Sequence, residues 1–320
     1  MGSLLINRQV ILLKLESTYD TDANPSASAD SLMVENLAYS NEGLRMVERP
    51  AIRTTQDQLA QVYGGTNGTI TFDVELKGAG ATYSASVKPE IDAVLQACGI
   101  SSTLDTTGGS ESVTYKPVSA AAAAHKSATV YFYQDGLLRK MTGARGNASF
   151  NIKNGEIGKV SISLFGHVTT LSDASLPTPS YDSVVPPVCI NGSVVIGGTS
   201  VTVSGISWDL NNEIVQTEDL SGSEGYGPII IKSRDVAGSF DPERELVATE
   251  PFDADLRSGK QMSLASGTIG GTQYNRYSVT LPKVSYRDIG EGDRDGILTY
   301  DISFGAEINS GDDEFSLVFN

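Results

Sequence analysis

The stretch Thr71-Phe72-Asp73-Val74-Glu75-Leu76 decides the fold class, and it recurs as Ser239-Phe240-Asp241-Pro242-Glu243-Arg244. Apolar and polar residues alternate from Ile70 to Lys77, which is the pattern of a strand with one buried face. Downstream, both copies end on a similar strand, Ser163-Leu164-Phe165-Gly166 in the first and Ile302-Ser303-Phe304-Gly305 in the second. A repeat of this kind predicts two domains built on one plan.

Each half also contains one short predicted helix, over residues 89–98 in the first half and 250–259 in the second. In the first helix the apolar residues recur at spacings of three and four and form a single stripe. They are Ile91, Val94, Leu95 and Cys98. Gly99 suits the end of this helix. The order strand, strand, helix, strands is therefore present twice.

Length and composition agree with a β-rich protein of two domains. Hydrophobic residues make up 39% of the 320 positions, and 33 glycines suit a chain with many turns. We predict an N-terminal arm over residues 1–30, a first domain over 31–170, a proline-rich linker over 171–187 and a second domain over 188–320. The first copy is longer than the second, and the segment 101–126, which contains a run of alanines, accounts for most of the difference.

The residue types argue against several classes of function. With 39 acidic and 23 basic residues the formal charge is −16, which disfavours sequence-specific binding of nucleic acid. His125 and His167 are the only histidines, and Cys98 and Cys189 the only cysteines, so no metal-ligand spacing or disulfide framework is present. No nucleotide-binding or hydrolase motif occurs. We therefore predict no enzyme activity and no cofactor.

Several motifs resemble one known family. The run Lys14-Leu15-Glu16-Ser17-Thr18-Tyr19-Asp20-Thr21-Asp22 resembles the opening of the tail tube proteins of long-tailed bacteriophages, with Asp20 where members often carry glycine. Further similar segments are spread over most of the chain. They are Val47-Glu48-Arg49-Pro50, Thr71 to Gly78, Ile91 to Gly99, Tyr131 to Gly136, Gly143-Ala144-Arg145-Gly146 and Leu176-Pro177-Thr178-Pro179.

The resemblance implies a two-domain tail tube protein, mainly β, with two tandem tail-tube-like β-sandwich domains. Each domain would have one short α-helix and a long inter-strand loop. Such a chain would be a structural subunit that self-assembles into three-chain, pseudo-hexameric rings, which stack into the channel for genome ejection. Its partners would be other copies, tail terminator and tail tip proteins, the tape measure protein and double-stranded DNA passing without specific binding. It would be made in the host cytoplasm and located in the virion tail, with no membrane contact.

Two sets of residues are candidates for roles in such a tube. The charged loops over residues 43–68 and 216–228 are long enough to contact the next ring. Their candidate contact residues are Arg45, Glu48, Arg49, Arg53, Glu218, Asp219 and Glu224. The polar positions of the repeated strand are candidates for lining the bore. They are Asp73, Glu75, Asp241 and Glu243. Alternatively, these four acids face outward or pair with Arg and Lys of adjacent subunits.

Two other functions remain open from the sequence. One is a β-sandwich module that binds a host surface or carbohydrate, which would require exposed aromatic side chains in a groove. The other is a tube subunit of a non-phage secretion system or bacteriocin. Self-assembly into an ordered tube would favour either tube protein over the binding module.

Overall fold

The computed structural model describes residues 4–119, 121, 125–222 and 224–320. The chain is mainly β, with 49% strand and 4% helix, as the sequence predicts. In the first half the described elements, in chain order, are β1 (Gln9–Leu15), β2 (Ser31–Leu32), β3 (Glu35–Glu42), β4 (Met46–Val47), β5 (Val62–Tyr63), β6 (Asn67–Glu75), α1 (Asp92–Ala97), β7 (Ile100–Asp105), β8 (Ser112–Pro117), β9 (Ala128–Gln134), β10 (Leu137–Lys153), β11 (Lys159–Val168) and β12 (Ser172–Asp173).

The second half repeats this order without counterparts of β7 and β8 among the described residues. Its elements are β13 (Val195–Ile196), β14 (Thr199–Ser200), β15 (Val203–Asp209), β16 (Glu213–Glu218), β17 (Tyr226–Ser233), β18 (Ala237–Pro242), α2 (Phe252–Ser258), β19 (Met262–Ile269), β20 (Tyr277–Arg294), β21 (Ile297–Ala306) and β22 (Ser316–Phe319).

One antiparallel sheet of eight strands runs through both halves, and we call it the long sheet. Its strand order is β3, β6, β11, β10, β15, β18, β21 and β20. The first four strands come from the first half and the last four from the second. The halves meet where β10 pairs with β15, from Ser149 opposite Asp209 to Lys153 opposite Gly205.

The pairing shows the repeat in register. Phe72 of β6 pairs with Ile162 of β11, and Phe240 of β18 pairs with Ile302 of β21. The first strand of each copy, β3 or β15, also has an irregularity at the same place relative to its neighbour. The two halves of the long sheet are therefore copies of one four-stranded unit.

This register corrects the sequence comparison by one residue. Because Ile162 corresponds to Ile302, Phe304 corresponds to Leu164 and not to Phe165. Leu164 and Phe304 are both fully buried, whereas Phe165 lies on the opposite face of its strand and is partly exposed. A shift of one residue moves a side chain to the other face of a sheet. The comparison was wrong because it matched identical Phe-Gly letters without testing which face they occupy.

The buried face of the long sheet carries the core. On β6 the predicted alternation is confirmed, since Ile70, Phe72 and Val74 are at most 2% exposed. The apolar stripe of α1 is buried as predicted. Where the halves meet, the Phe150 ring stacks on the Trp208 ring with centroids 4.6 Å apart. This aromatic contact joins the two halves into one core.

Outer strands cover this core. The first part of β10 pairs with β9, which pairs with β1, and the first part of β20 pairs with β19, which pairs with β13. The hairpin β7–β8 of the first half pairs with β22 of the second half, with Tyr115 opposite Leu317. We call this hairpin the clasp. It explains the extra length of the first copy, although Ala120 and residues 122–124 of the 101–126 segment lie outside the described residues.

Strands lie within the predicted N-terminal arm and within the two predicted loops. Within the predicted arm over residues 1–30, β1 pairs with β9, and Ile11, Leu12 and Leu13 are buried in the first half. The burial of β1 depends on its pairing with β9, which is distant in sequence, so the local pattern of residues does not show it. The 43–68 and 216–228 loops contain parts of hairpins β4–β5 and β16–β17. Strand β10 continues through Gly143 (φ 62°), where its pairing with β11 contains a bulge.

Candidate functional site

The long sheet ends in two edges without a strand partner among the described residues. One is the outer edge of β3, and the other is the second half of β20 from Asp288 to Arg294. Both edge segments are partly or fully exposed. An exposed edge of this length presents unpaired backbone donors and acceptors and is suited to pairing with another chain.

The repeat shows that each free edge is equivalent to a strand that is paired inside the chain. Ala148 of β10 and Ile289 of β20 pair with the equivalent residues Ile162 and Ile302, so the free part of β20 corresponds to the part of β10 that pairs with β15. In the same way β3 corresponds to β15. The two free edges are therefore copies of the two edges that already join inside the chain.

The face of the long sheet that points away from the core is polar and carries all four lumen candidates. Asp73 and Glu75 lie on this polar face of β6, whereas Phe72 and Val74 lie on its buried face. Asp241 lies at the equivalent place on β18, and Glu243 follows that strand. All four side chains are partly exposed.

The two acids of the second half share one basic partner within the chain. The Arg294 guanidinium lies 2.7 Å from the Asp241 carboxylate and 3.5 Å from that of Glu243. Burial opposes ionisation of Asp241, but hydrogen bonds from Ser204 and Gly205 and the charge of Arg294 outweigh it, so its pKa lies below the usual value. Asp241 and Glu243 thus pair with a basic residue of their own chain, and pairing with Arg or Lys of adjacent subunits stays an alternative prediction.

The two acids of the first half are less compensated. Asp73 accepts a hydrogen bond from the Asn36 amide at 2.7 Å. The nearby ammonium of Lys159 binds Glu35 at 2.7 Å. Asp73 and Glu75 therefore give the open face a net negative region at this end of β6.

The loop candidates fall into two groups. Arg45 of the first loop binds Glu218 of the second at 2.9 Å and lies over the Tyr226 ring. Tyr63 donates a hydrogen bond to Glu224 at 2.6 Å. The structure thus brings Arg45, Glu218 and Glu224 together inside one chain. The remaining candidates lie exposed at the loop ends. They are Glu48, Arg49, Arg53 and Asp219.

A buried polar socket, which the sequence did not reveal as a site, receives the hairpin β16–β17. The Tyr19 hydroxyl accepts a hydrogen bond from the Ile229 backbone N–H at 2.7 Å, and the Arg145 guanidinium donates to the Ile229 carbonyl. Arg145 also lies over the Tyr19 ring. Glu16, itself buried, accepts hydrogen bonds from the Gly143 N–H and from Thr129. Tyr19, Arg145 and Glu16 all belong to the resemblance motifs, and that was the available signal.

His167 extends this socket. Its Nδ1 lies 3.0 Å from the Asp20 carboxylate, and its Nε2 lies 2.7 Å from the Gln216 side-chain nitrogen. Burial alone would lower the pKa of His167, but the hydrogen bond to Asp20 and its charge raise it above the usual value. For Asp20, burial is likewise outweighed by His167 and Thr142, so its pKa is lowered. Asp20 therefore stabilises the protonated form of His167, and Gln216 at the other ring nitrogen belongs to the second half.

The described residues hold no group of three or more His, Cys, Asp or Glu side chains placed to bind a metal ion. Cys98 and Cys189 are free and buried, one in each half. Within the same residues no helix has the length and apolar character needed to cross a lipid bilayer.

Comparison with known families places the chain. A family model described as phage tail tube protein matches residues 6–306, nearly the whole chain. The chain belongs to the phage tail tube protein family. A search among curated proteins finds no match. The family is structural, so this tail tube protein is not an enzyme, and its place is the virion tail, where tail tube proteins assemble with one another and with other tail proteins.

Proposed function

We propose that three copies of the chain close into a pseudo-sixfold ring, and that stacked rings form the channel for genome ejection. The observation that carries this proposal is that the two free edges of the long sheet are copies of the joined edges β10 and β15. A head-to-tail contact that repeats at a constant rotation closes into a ring when that rotation completes a full turn, and otherwise gives an open helical filament. Two equivalent domains per chain then require three chains for six positions.

The repeat also gives the register of the contact between chains. Ser149 pairs with Asp209 inside the chain. Their equivalents are Gly290 and Ser40, because Gly290 follows Ile289 as Ser149 follows Ala148, and Ser40 pairs with Thr69 as Asp209 pairs with Ala237. In the ring, Gly290 of one chain lies opposite Ser40 of the next.

A cysteine pair tests this closure. A cysteine side chain fits at Gly290, because its Cβ would lie 3.5 Å from its nearest neighbour. Oxidation of the double variant Ser40→Cys, Gly290→Cys should give covalent dimers and trimers, whereas the control Glu42→Cys, Gly290→Cys, displaced by two residues, should react poorly. Native mass measurement of assembled rings should show three chains. Rings of six full-length chains would refute the proposal.

We further propose that the polar face of the long sheet lines the bore. Both helices and the outer strands lie on the opposite, buried face, so a barrel closed around its polar face keeps the core on the outside. Asp73 and Glu75 would then give the bore a negative charge that repels DNA phosphates, over the Debye length of about 8 Å at physiological salt. Asp241 and Glu243 would add less negative charge, because Arg294 compensates one of the two carboxylates.

The exposed loop residues support a role between rings. Glu48, Arg49 and Arg53 lie beyond the β4–β5 hairpin and make few contacts with their own chain. The tube would be assembled in the host cytoplasm around the tape measure protein and completed by terminator and tip proteins. A carbohydrate-binding function gains no support, because Trp208, the only tryptophan, is 1% exposed in the core.

A further inference from the structure

Two hairpins occupy equivalent places in the repeat but differ in burial. Hairpin β4–β5 lies between β3 and β6, and hairpin β16–β17 lies between the corresponding strands β15 and β18. The second hairpin leans on the first half of its own chain. The first hairpin contacts hairpin β16–β17 of its own chain through Arg45 and Tyr63. It has no preceding domain of its own chain to pack on, because in a ring that domain belongs to another chain.

The supported hairpin packs at the end of helix α1. Ile231 is 9% exposed, and its Cδ1 lies 3.1 Å from where a Cβ on Gly99 would stand. Gly99 has the left-handed φ of 78°, which ends the helix. Ile229 is fully buried against Tyr19 and Arg145. The hairpin is thus held by an apolar contact at the helix end and by the polar socket.

Hairpin β4–β5 also carries apolar side chains, but these are exposed to solvent. Met46, Val47, Val62 and Tyr63 are 45% to 55% exposed. Apolar side chains clustered in this way on a hairpin mark an interaction surface. Counting back from the equivalent residues Thr69 and Ala237, Tyr63 stands where Ile231 stands, six residues earlier in each case.

The surface that would receive it is also bare. Helix α2 ends at Gly259, which has a left-handed φ of 63° like Gly99. A Cβ on Gly259 would meet no atom of the described residues within 4 Å, whereas at Gly99 the space is filled by Ile231. The place on the second half that corresponds to the Ile231 contact is therefore open.

A second bare segment lies on the same side. Gly78 contacts Asn275 of the second half, donating its N–H to the side-chain oxygen at 3.1 Å. Counting from Phe72 and Phe240, the counterpart of Gly78 is Leu246. Leu246 and Val247 are 79% and 75% exposed. Both bare segments fall at the junction between the second half of one chain and the first half of the next.

Resting on the proposed ring, we propose that hairpin β4–β5 of each chain packs laterally on the second half of the neighbouring chain in the same ring, with Tyr63 over Gly259 at the end of α2. The occupant is a second copy of this chain. This hairpin therefore contacts its neighbour within the ring, and only the exposed loop beyond it, residues 48–61, remains for contacts between rings.

The test is a cysteine pair across this contact. Lys260 follows Gly259 and is exposed, so Tyr63→Cys with Lys260→Cys should form disulfides between chains on oxidation. Val62→Cys with Lys260→Cys is the matched control, because neighbouring residues on a strand point to opposite faces. Cys98 and Cys189 are buried and do not compete.

The expected product of the Tyr63 pair is dimer and trimer, with trimer the largest species and at least a tenfold excess over the Val62 control. A ladder beyond three chains would place the contact between rings and overturn the inference. So would an absence of disulfides in a variant whose rings form and whose Ser40–Gly290 pair reacts. If the Ser40–Gly290 pair and ring formation also fail, the proposed ring is refuted together with this contact.

Discussion

Replacing Trp208 with alanine tests whether the two halves fold as one unit. Trp208 lies on β15 of the second half, and its ring stacks against Phe150 of the first half with an interplanar angle of 2°. Phe315 packs on the same pair. Truncation of a large buried aromatic costs about 3–5 kcal/mol, of which about 0.5–1.5 kcal/mol reflects the ring contact itself.

The residue equivalent to Trp208 at the junction between chains should contribute less to the stability of the free chain and more to ring closure. Tyr39 corresponds to Trp208, since it pairs with Ile70 as Trp208 pairs with Gly238. It is partly exposed and contacts Arg139 with its ring. Tyr39 also packs on the edge of the core, but it is less buried than Trp208. Tyr39→Ala should therefore cost the free chain less than Trp208→Ala, yet weaken ring closure.

Urea unfolding followed by circular dichroism measures these losses, because tryptophan fluorescence is absent from the Trp208 variants. Trp208→Phe is the matched control. It keeps an aromatic ring against Phe150, and the indole N–H has no hydrogen-bond partner among the described residues, so it should cost about 1.5 kcal/mol or less. A loss below about 1 kcal/mol for Trp208→Ala, or an equal loss for Tyr39→Ala, would refute the joined core.

Three further predictions follow from the loops, the bore and the socket. Deleting residues 48–58, which leaves Arg45 bound to Glu218, should permit rings but prevent stacking, and tubes of normal length in electron micrographs would contradict this. Asp73→Lys with Glu75→Lys should leave rings intact and slow DNA ejection most at low salt, whereas an unchanged rate there would remove these residues from the bore; Asp241 is unsuitable because Ser204 and Gly205 depend on it. The raised pKa of His167 means that its stabilisation is present in full below about pH 6.5 and is lost as pH rises through the folded-state pKa. In urea titrations at several pH values, the free energy of unfolding should fall less steeply with rising pH in His167→Gln than in the original protein. An unchanged fall would show that His167 is not its cause.

Local patterns predicted what depends on local structure. The alternation from Ile70 to Leu76 and the stripe of α1 state which face is buried, and both faces are buried as predicted. The repeat of Phe72 and Phe240 predicted the doubled plan. The family motifs predicted the β-rich class and the family, because their residues recur across the chain.

Long-range contacts were not predictable in this way. The pairing of the clasp with β22 joins residues about two hundred positions apart. The residue pattern from Val113 to Tyr115 does not indicate which strand it pairs with. The one-residue error at Phe165 arose because similarity of letters does not fix strand register. Tyr19 and Arg145 act by binding the backbone of Ile229, a residue of the other half. The sequence showed the motifs that contain them but could not show this contact.

The clasp has a mechanical consequence. It crosses the junction inside each chain, and the second half has no equivalent hairpin among its described residues to cross the junction between chains. The stack of Phe150 on Trp208 likewise reinforces only the internal junction. A ring of three chains would thus alternate three stiff joints with three compliant seams, and a bent tube should strain first along those seams.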